Sequence, residues 1–237
     1  MTIMAKLTVL AIGAHADPFD MPYQCGGTLA KMAKAGHRVI CVSACEENQA
    51  EAAKVAKVLG CETMFLDLEE GEIENDTATV HKIVELVRSV RPDIVITHQP
   101  TDYNPDHRKL SQAVLGACLL SRVGEVKTKH KPYKVPSLYY SETSSGVNSK
   151  GDIYVDIEST LPTKLKAIRE HKSLSMKAGV EHLGSMEHLA EREEATAKFR
   201  GMQVEIEAAE VFERAINYRV MRAFSTLPFP DVPVHNE

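Results

Sequence analysis

Apolar and polar positions switch between two periods along the first half of the chain. Residues 6–14 (KLTVLAIGA) are apolar on both sides of their alternation, as in a strand buried on both faces. Residues 26–36 (GGTLAKMAKAG) change to a helical spacing that stops at Gly36. The couplet then repeats. Residues 37–44 predict a second buried strand, and 47–60, rich in Ala, Lys and Glu, a helix stopped by Gly60. Residues 61–68 predict a third strand. Residues 76–90 predict a helix with Asp76 as N-cap and an apolar face through Val80, Ile83, Val84 and Val87. Residues 91–98 predict a fourth strand, with Pro92 tolerated at its start. Residues 105–123 start as a loop and become a helix.

Four strand–helix units in a row predict an α/β fold, a Rossmann-like parallel sheet with helices on both faces. Ligands of such sheets sit beyond the carboxyl ends of the strands. His15, Cys45 and Glu46, Asp67, and His98 fall at that edge, each behind one predicted strand. The pattern changes after residue 124. A polar, Lys- and Pro-bearing connector (124–137) leads to short strands within 137–143 and 152–157. Helical spacing returns over 160–176 and 188–216, followed by a last short strand (218–224) and a Pro-rich tail (225–237). The expected organisation is a single α/β domain over 1–237, with a Rossmann-like core (1–123) and a C-terminal α+β cap and tail (124–237).

Composition narrows the function classes. The chain has 237 residues, a formal net charge of -5 and 5% aromatic residues. No basic stripe or aromatic–basic interleaving suggests nucleic acid, and the apolar runs are too short to span a membrane. A cleaved signal peptide would remove the strand that leads into His15, so the N-terminus is read as part of the fold and the location as cytoplasmic. Five cysteines without a CxxC pair (Cys25, Cys41, Cys45, Cys61, Cys118) fit buried free thiols.

Two polar clusters lie at the predicted ligand edge. One is His15-Ala16-Asp17-Pro18-Phe19-Asp20. The other, residues 98–108, holds His98, Asp102, Asp106 and His107. Imidazole and carboxylate are the donors of a catalytic zinc that keeps one position for water. A further carboxylate off the metal can take the proton of that water. Taken singly, each cluster has a plainer reading. DPFD suits a turn, and NPDHR suits a helix start with Asn104 as N-cap and Pro105 at N1.

Ala14-His15-Ala16-Asp17, then Cys25-Gly26-Gly27-Thr28-Leu29-Ala30, and later Asn104-Pro105-Asp106-His107-Arg108 resemble the PIG-L family of zinc-dependent deacetylases. The resemblance covers about residues 6–122 and continues more weakly through 164–173 and 208–215. It implies a hydrolase acting on a small N-acetyl, amidosugar-like substrate with Zn²⁺ or another divalent metal. The family's ligands are the first histidine, the second aspartate and the last histidine. The histidines carry over to His15 and His107. Counting from His15, Asp17 takes the place of the general base, and the ligand position falls on Pro18. Counting back from Cys25, the ligand is Asp20. A two-residue insertion reconciles the counts, with Asp20 as ligand and Asp17 as base. The alternative has Asp17 on the metal and no base on this loop.

The resemblance further implies that Asp106 orients a neighbouring side chain and that Asn104, in place of a histidine, donates to the oxyanion. Arg108 and His171 are the expected substrate contacts, and a homo-oligomer is expected. The arginine that the family usually carries after its second strand is missing. Family members include a zinc-dependent hydratase of 4-oxalomesaconate, an unsaturated dicarboxylic acid. That branch also relaxes the first motif, and Ala209-Glu210-Val211-Phe212 resembles its C-terminal segment. Hydration is therefore the alternative reaction, for which cations such as Arg108, Lys172 or Arg200 at the metal would suit the substrate. Pro18, Asn104 and the insertion also allow a non-catalytic descendant.

Overall fold

A computed structural model describes residues 6–16, 20–45, 48–144, 146, 147, 149, 151–171 and 185–215. In chain order the elements are β1 (Thr8–Gly13), α1 (Asp20–Lys34), β2 (Arg38–Cys45), α2 (Gln49–Leu59), β3 (Glu62–Leu68), α3 (Thr77–Val90), β4 (Ile94–Thr97) and α4 (Pro105–Leu120). They continue with β5 (Ser137–Ser141), β6 (Ile153–Asp156), α5 (Leu161–Arg169), α6 (Met186–Met202) and β7 (Ala209–Arg214). The strands form one seven-stranded sheet in the order β3-β2-β1-β4-β5-β7-β6. The first five strands of that order are parallel, and β7 runs antiparallel to both β5 and β6.

The apolar alternation of the strands separates two cores. Leu10, Ile12, Ile40, Val42 and Val95 face α3 and α4, meeting Ile83, Val87, Leu110 and Val114. Val9, Ala11, Val39, Cys41 and Ile96 face α1 and α2, meeting Leu29, Val55 and Leu59. Strands buried on both faces are what crossover helices on both sides require. Local chemistry sets the helix ends. Asp76 Oδ1 accepts the Thr79 N–H (2.8 Å) at the start of α3, and Gly60 closes α2 at φ 77°.

Three expectations about elements are corrected. The helix expected from residue 26 begins at Asp20 and kinks at Cys25 (φ -135°, ψ 26°), because Asp20 and Pro22 both suit a first helical turn. The helix expected from 105 has no preceding loop portion, since Asn104 caps it directly. The helix expected over 188–216 ends at Met202, and 209–214 is strand β7. Ala, Glu and Arg there favour helix locally. Pairing with both β5 and β6 and burial of Val211 and Phe212 override that preference. The residues after 124 thus add three strands to the same sheet. The expected strand over 218–224, the tail, and the end of the 160–176 helix from residue 172 lie outside the described residues.

Candidate metal centre

In the sheet order, β1 stands between β2 and β4, where the direction of strand addition reverses. A crevice opens beyond the carboxyl ends of strands at such a point. His15 lies just past β1, Asp20 opens α1, and His107 is in the first turn of α4. Gly13 permits the approach, because a Cβ there would lie 2.9 Å from the Asp20 Cβ. The His15 backbone N–H donates to Asp20 Oδ2 at 2.7 Å, which ties the carboxylate to the end of β1.

Three side-chain atoms converge in the crevice. His15 Nδ1 is 3.2 Å from Asp20 Oδ2 and 3.2 Å from His107 Nε2, and His107 Nε2 is 3.3 Å from Asp20 Oδ2. All three residues are buried. Zinc bonds of 2.0–2.1 Å in a tetrahedron put ligand atoms about 3.3–3.4 Å apart. The triangle has the edge lengths of one face of that tetrahedron.

The far nitrogens determine what the near ones offer. His15 Nε2 is 3.3 Å from Asp106 Oδ2, which also accepts the Gly71 N–H at 2.7 Å. His107 Nδ1 is 3.1 Å from Asp102 Oδ2. The Asp106 hydrogen bond holds the proton on the far nitrogen of His15, the Asp102 carboxylate at ion-pair distance attracts one to the far nitrogen of His107, and each leaves the near lone pair for a cation. Two lone pairs and a carboxylate then face one another, so the centre requires a positive charge. Without metal it takes up protons. Burial opposes charging of His15, but Asp20 and Asp106 prevail and raise its pKa to about 10. Burial likewise opposes charging of His107, and Asp20 with Asp102 raises it to about 9. Burial would raise Asp20, yet the two imidazoliums hold it well below 3.8. The donor set and its geometry fit a divalent metal of the zinc type.

His98, Asp102 and His107 form a second close set of possible ligands. Its His98 nitrogens are already used. Nε2 accepts the Ala14 N–H (2.9 Å), and Nδ1 donates to Gln24 Oε1 (3.1 Å), which also accepts from Ser141 Oγ (2.8 Å). Burial, then the charge of His107, lowers His98 to about 4, so the ring is neutral. It stacks on the His107 ring at 3.7 Å and 6°.

The other expected site residues are placed as follows. Asp17 lies outside the described residues. Asp106 contacts His15, as an orienting group would. Asn104 is the N-cap of α4, its Oδ1 accepting the Asp106 N–H at 2.8 Å. The plainer helix-start reading of NPDHR thus describes its bonding, since the cap holds the carbonyl end of the amide. Arg108 Nη1 donates to the carbonyls of Asp102 (2.7 Å) and Tyr103 (2.8 Å), bracing the turn before α4. His171 is buried after α5, with Nε2 donating to the Ala16 carbonyl at 2.8 Å. It touches the loop that carries His15. Arg200 is engaged by Glu142, and Lys172 lies outside the described residues. Cys25, Cys41 and Cys45 are buried free thiols, while Cys61 and Cys118 are partly exposed. Among the described residues no helix is long and apolar enough to cross a membrane.

Sequence reasoning named Asp102 only as a cluster member and missed a support built by the second half of the chain. Glu210 on β7 accepts the Gly27 N–H (2.9 Å) and the Thr28 N–H (2.7 Å), the opening of α1 after its kink. Lys164 Nζ lies 2.9 Å from both Glu210 and Glu193 and donates to the Gln24 carbonyl at 3.3 Å. A Cβ on Gly27 would come within 2.8 Å of Ile157. Cys25-Gly26-Gly27-Thr28 is therefore a packed and capped joint behind Asp20. The resemblance of Ala209-Glu210-Val211-Phe212 to the hydratase branch singled out Glu210 but not its partners.

Residues 10–118 match the family model described as PIG-L, GlcNAc-PI de-N-acetylase. A 4-oxalmesaconate hydratase of Pseudomonas putida KT2440 is 25% identical over 201 residues, which cover 74% of this chain and 75% of that protein. Two solved structures share the fold. The 4-carboxy-2-hydroxymuconate hydratase of the same bacterium superposes with a TM-score of 0.74 at 22% identity, over 94% of this chain and 100% of its own. The N,N'-diacetylchitobiose deacetylase of Pyrococcus horikoshii gives a TM-score of 0.74 at 22% identity, over 88% of this chain and 83% of its own.

Proposed function

With the PIG-L match over residues 10–118 as premise, we propose that the chain is a metal-dependent enzyme that adds water to a small unsaturated di- or tricarboxylic acid. His15, Asp20 and His107 hold the metal, taken as zinc, and the observation that carries this is the 3.2–3.3 Å triangle of their donor atoms. Zinc, when bound, supplies a water of lowered pKa and polarises the group under attack. Asp106 and Asp102 keep the two rings in the tautomers that face the crevice. Asp17 takes the proton of the attacking water and returns it to the carbon next to the substrate carboxylate, while the hydroxyl goes to the far carbon of the double bond. His98 packs the neutral wall against His107.

The choice of hydration rests on the curated relative, a hydratase similar along three quarters of both chains. Amide hydrolysis, which the motif resemblance puts first, is the second reading, favoured by the family description and the shared fold of a deacetylase. Its expected oxyanion donor, Asn104, caps α4 through its carbonyl, which leaves the NH₂ end of the amide as the donor. The deciding experiment supplies the zinc-loaded protein with 4-oxalomesaconate and, separately, with N-acetylglucosamine derivatives. Loss of the conjugated absorbance without acetate release is the expected result. Acetate release with an inert enoate would reverse the order of the two readings, and inactivity on both classes would favour a non-catalytic descendant.

A further inference from the structure

Three of the described arginines are closed by carboxylates: Arg38 by Glu62, Arg169 by Glu187 and Arg200 by Glu142. Arg88 and Arg108 spend their donors on main-chain carbonyls. Arg192 on α6, like Arg91 over the Tyr133 ring, is held by a tyrosine instead. Among the described residues no carboxylate forms an ion pair with it, and its Nε is buried without a hydrogen-bond partner. Its Nη2 donates to Tyr23 Oη, and its guanidinium carbon lies 5.9 Å from the centre of the Tyr23 ring.

Its neighbours place this cation beside the metal centre. Tyr23 is three residues after Asp20 on α1, on the same side of the helix one turn along. Tyr103 is 62% exposed, with its ring 6.5 Å from that of His107. Tyr23, buried against α5 and α6, connects the helix that Asp20 opens to this guanidinium, and Tyr103 stands over the His107 ring.

We propose that Arg192 is a specificity-determining residue that binds a carboxylate of the substrate, with the Tyr23 hydroxyl beside it. A guanidinium presents its N–H groups as a planar fork that matches a carboxylate, and it stays charged at any working pH. Among the described residues no carboxylate is ion-paired with this fork, and the neighbouring buried Glu193 is paired with Lys164. The inference rests on the hydration reading and deepens it. One end of the dicarboxylate is worked on at the metal, and the other is held by α6. The three cations expected from the sequence, Arg108, Lys172 and Arg200, are not the ones assigned.

The test is a two-by-two comparison on the full-length, zinc-loaded chain. The probes are fumarate and its monoamide fumaramate, which differ in one charge and hardly in shape. Calorimetric Kd values are measured for the wild type, Arg192→Gln and Arg192→Lys, with zinc content checked for each. The wild type is expected to prefer fumarate by about 10- to 100-fold, the range of a charge-assisted hydrogen-bonded pair. Arg192→Gln should bind both probes alike, and Arg192→Lys should keep part of the preference, having the charge without the fork. A merely structural role would weaken both probes together and keep their ratio. An undiminished preference in Arg192→Gln overturns the assignment, as does a wild type with none. Turnover separates this from the underlying reading. Unchanged KM for an unsaturated dicarboxylate in Arg192→Gln sinks Arg192 alone, whereas a wild type that hydrates no such acid sinks hydration itself.

Discussion

Asp102→Asn probes the metal centre at one remove, and its size follows from two distances. The Asp102 carboxylate accepts the Asn104 N–H with Oδ1 (2.9 Å) and faces His107 Nδ1 with Oδ2 (3.1 Å). An asparagine of the same shape keeps the first contact with its carbonyl and turns its NH₂ towards Nδ1. Two donors then oppose each other, and His107 relieves the conflict by moving its proton to Nε2. That atom is the one 3.2 Å from His15 Nδ1 and 3.3 Å from Asp20 Oδ2, so the centre loses a lone pair. Loss of such an outer carboxylate weakens metal binding by about 10- to 100-fold, or about 1.4–2.8 kcal/mol. Competition against a fluorescent zinc chelator at constant pH measures it, with circular dichroism confirming the fold. A Kd within twofold of wild type would mean that Asp102 does not set the His107 tautomer, and the ligand geometry would need another basis.

The remaining predictions concern the supports and the charges. Gly27→Ala pushes a methyl to within 2.8 Å of the buried Ile157 and should cost about 1–3 kcal/mol in chemical denaturation; no change would show that α1 is free to shift there. Lys164→Met leaves Glu193 and Glu210 buried without their cation, a loss of about 3–5 kcal/mol, or roughly 6–20 °C in Tm for a chain of this size. The loss should shrink in acid as Glu193, whose pKa burial raises, takes up its proton, and a pH-independent deficit would contradict the charge argument. In metal-stripped protein, the raised pKa values of His15 and His107 contribute stability that is full below 6.5 and lost as pH climbs through about 9 to 10. The lowered Asp20 contributes stability present above 3.8 and lost as pH falls through its folded pKa. Urea midpoints across this range should therefore form a plateau that falls at both ends, and His15→Asn should remove part of the alkaline fall.

The core of the fold was legible because its strands carry their burial in their composition. KLTVLAIGA and HRVICVSA are apolar on both faces, which few arrangements other than a doubly covered parallel sheet can satisfy. The convergence of His15, Asp20 and His107 followed from topology, since both loops had to open at the same sheet edge. Asp20 could be preferred over Asp17 only through its distance from Cys25-Gly26-Gly27. What failed was non-local. AEVFER reads as helix because its neighbours in the sheet are some 55 to 75 residues before it in sequence, and propensity cannot see them. Glu210 and Lys164 were unreadable for the same reason: each has its partners across the fold, at Gly27 and Thr28 and at Glu193. Asn104 shows a local rule at work, because Asn before Pro-Asp is a favoured helix cap, and its Oδ1 caps α4.

The claim on which the enzyme depends is that one zinc ion sits between His15, Asp20 and His107. X-ray absorption at the zinc edge of the loaded, full-length protein tests it directly. The account predicts one zinc per chain in a shell of nitrogen and oxygen at about 2.0–2.1 Å, with two imidazoles and no sulfur. In Asp20→Asn the shell should be altered or the metal lost. A sulfur shell near 2.3 Å would place the metal at the cysteines, and an unaltered spectrum from Asp20→Asn would place it away from this triangle; either would contradict the account.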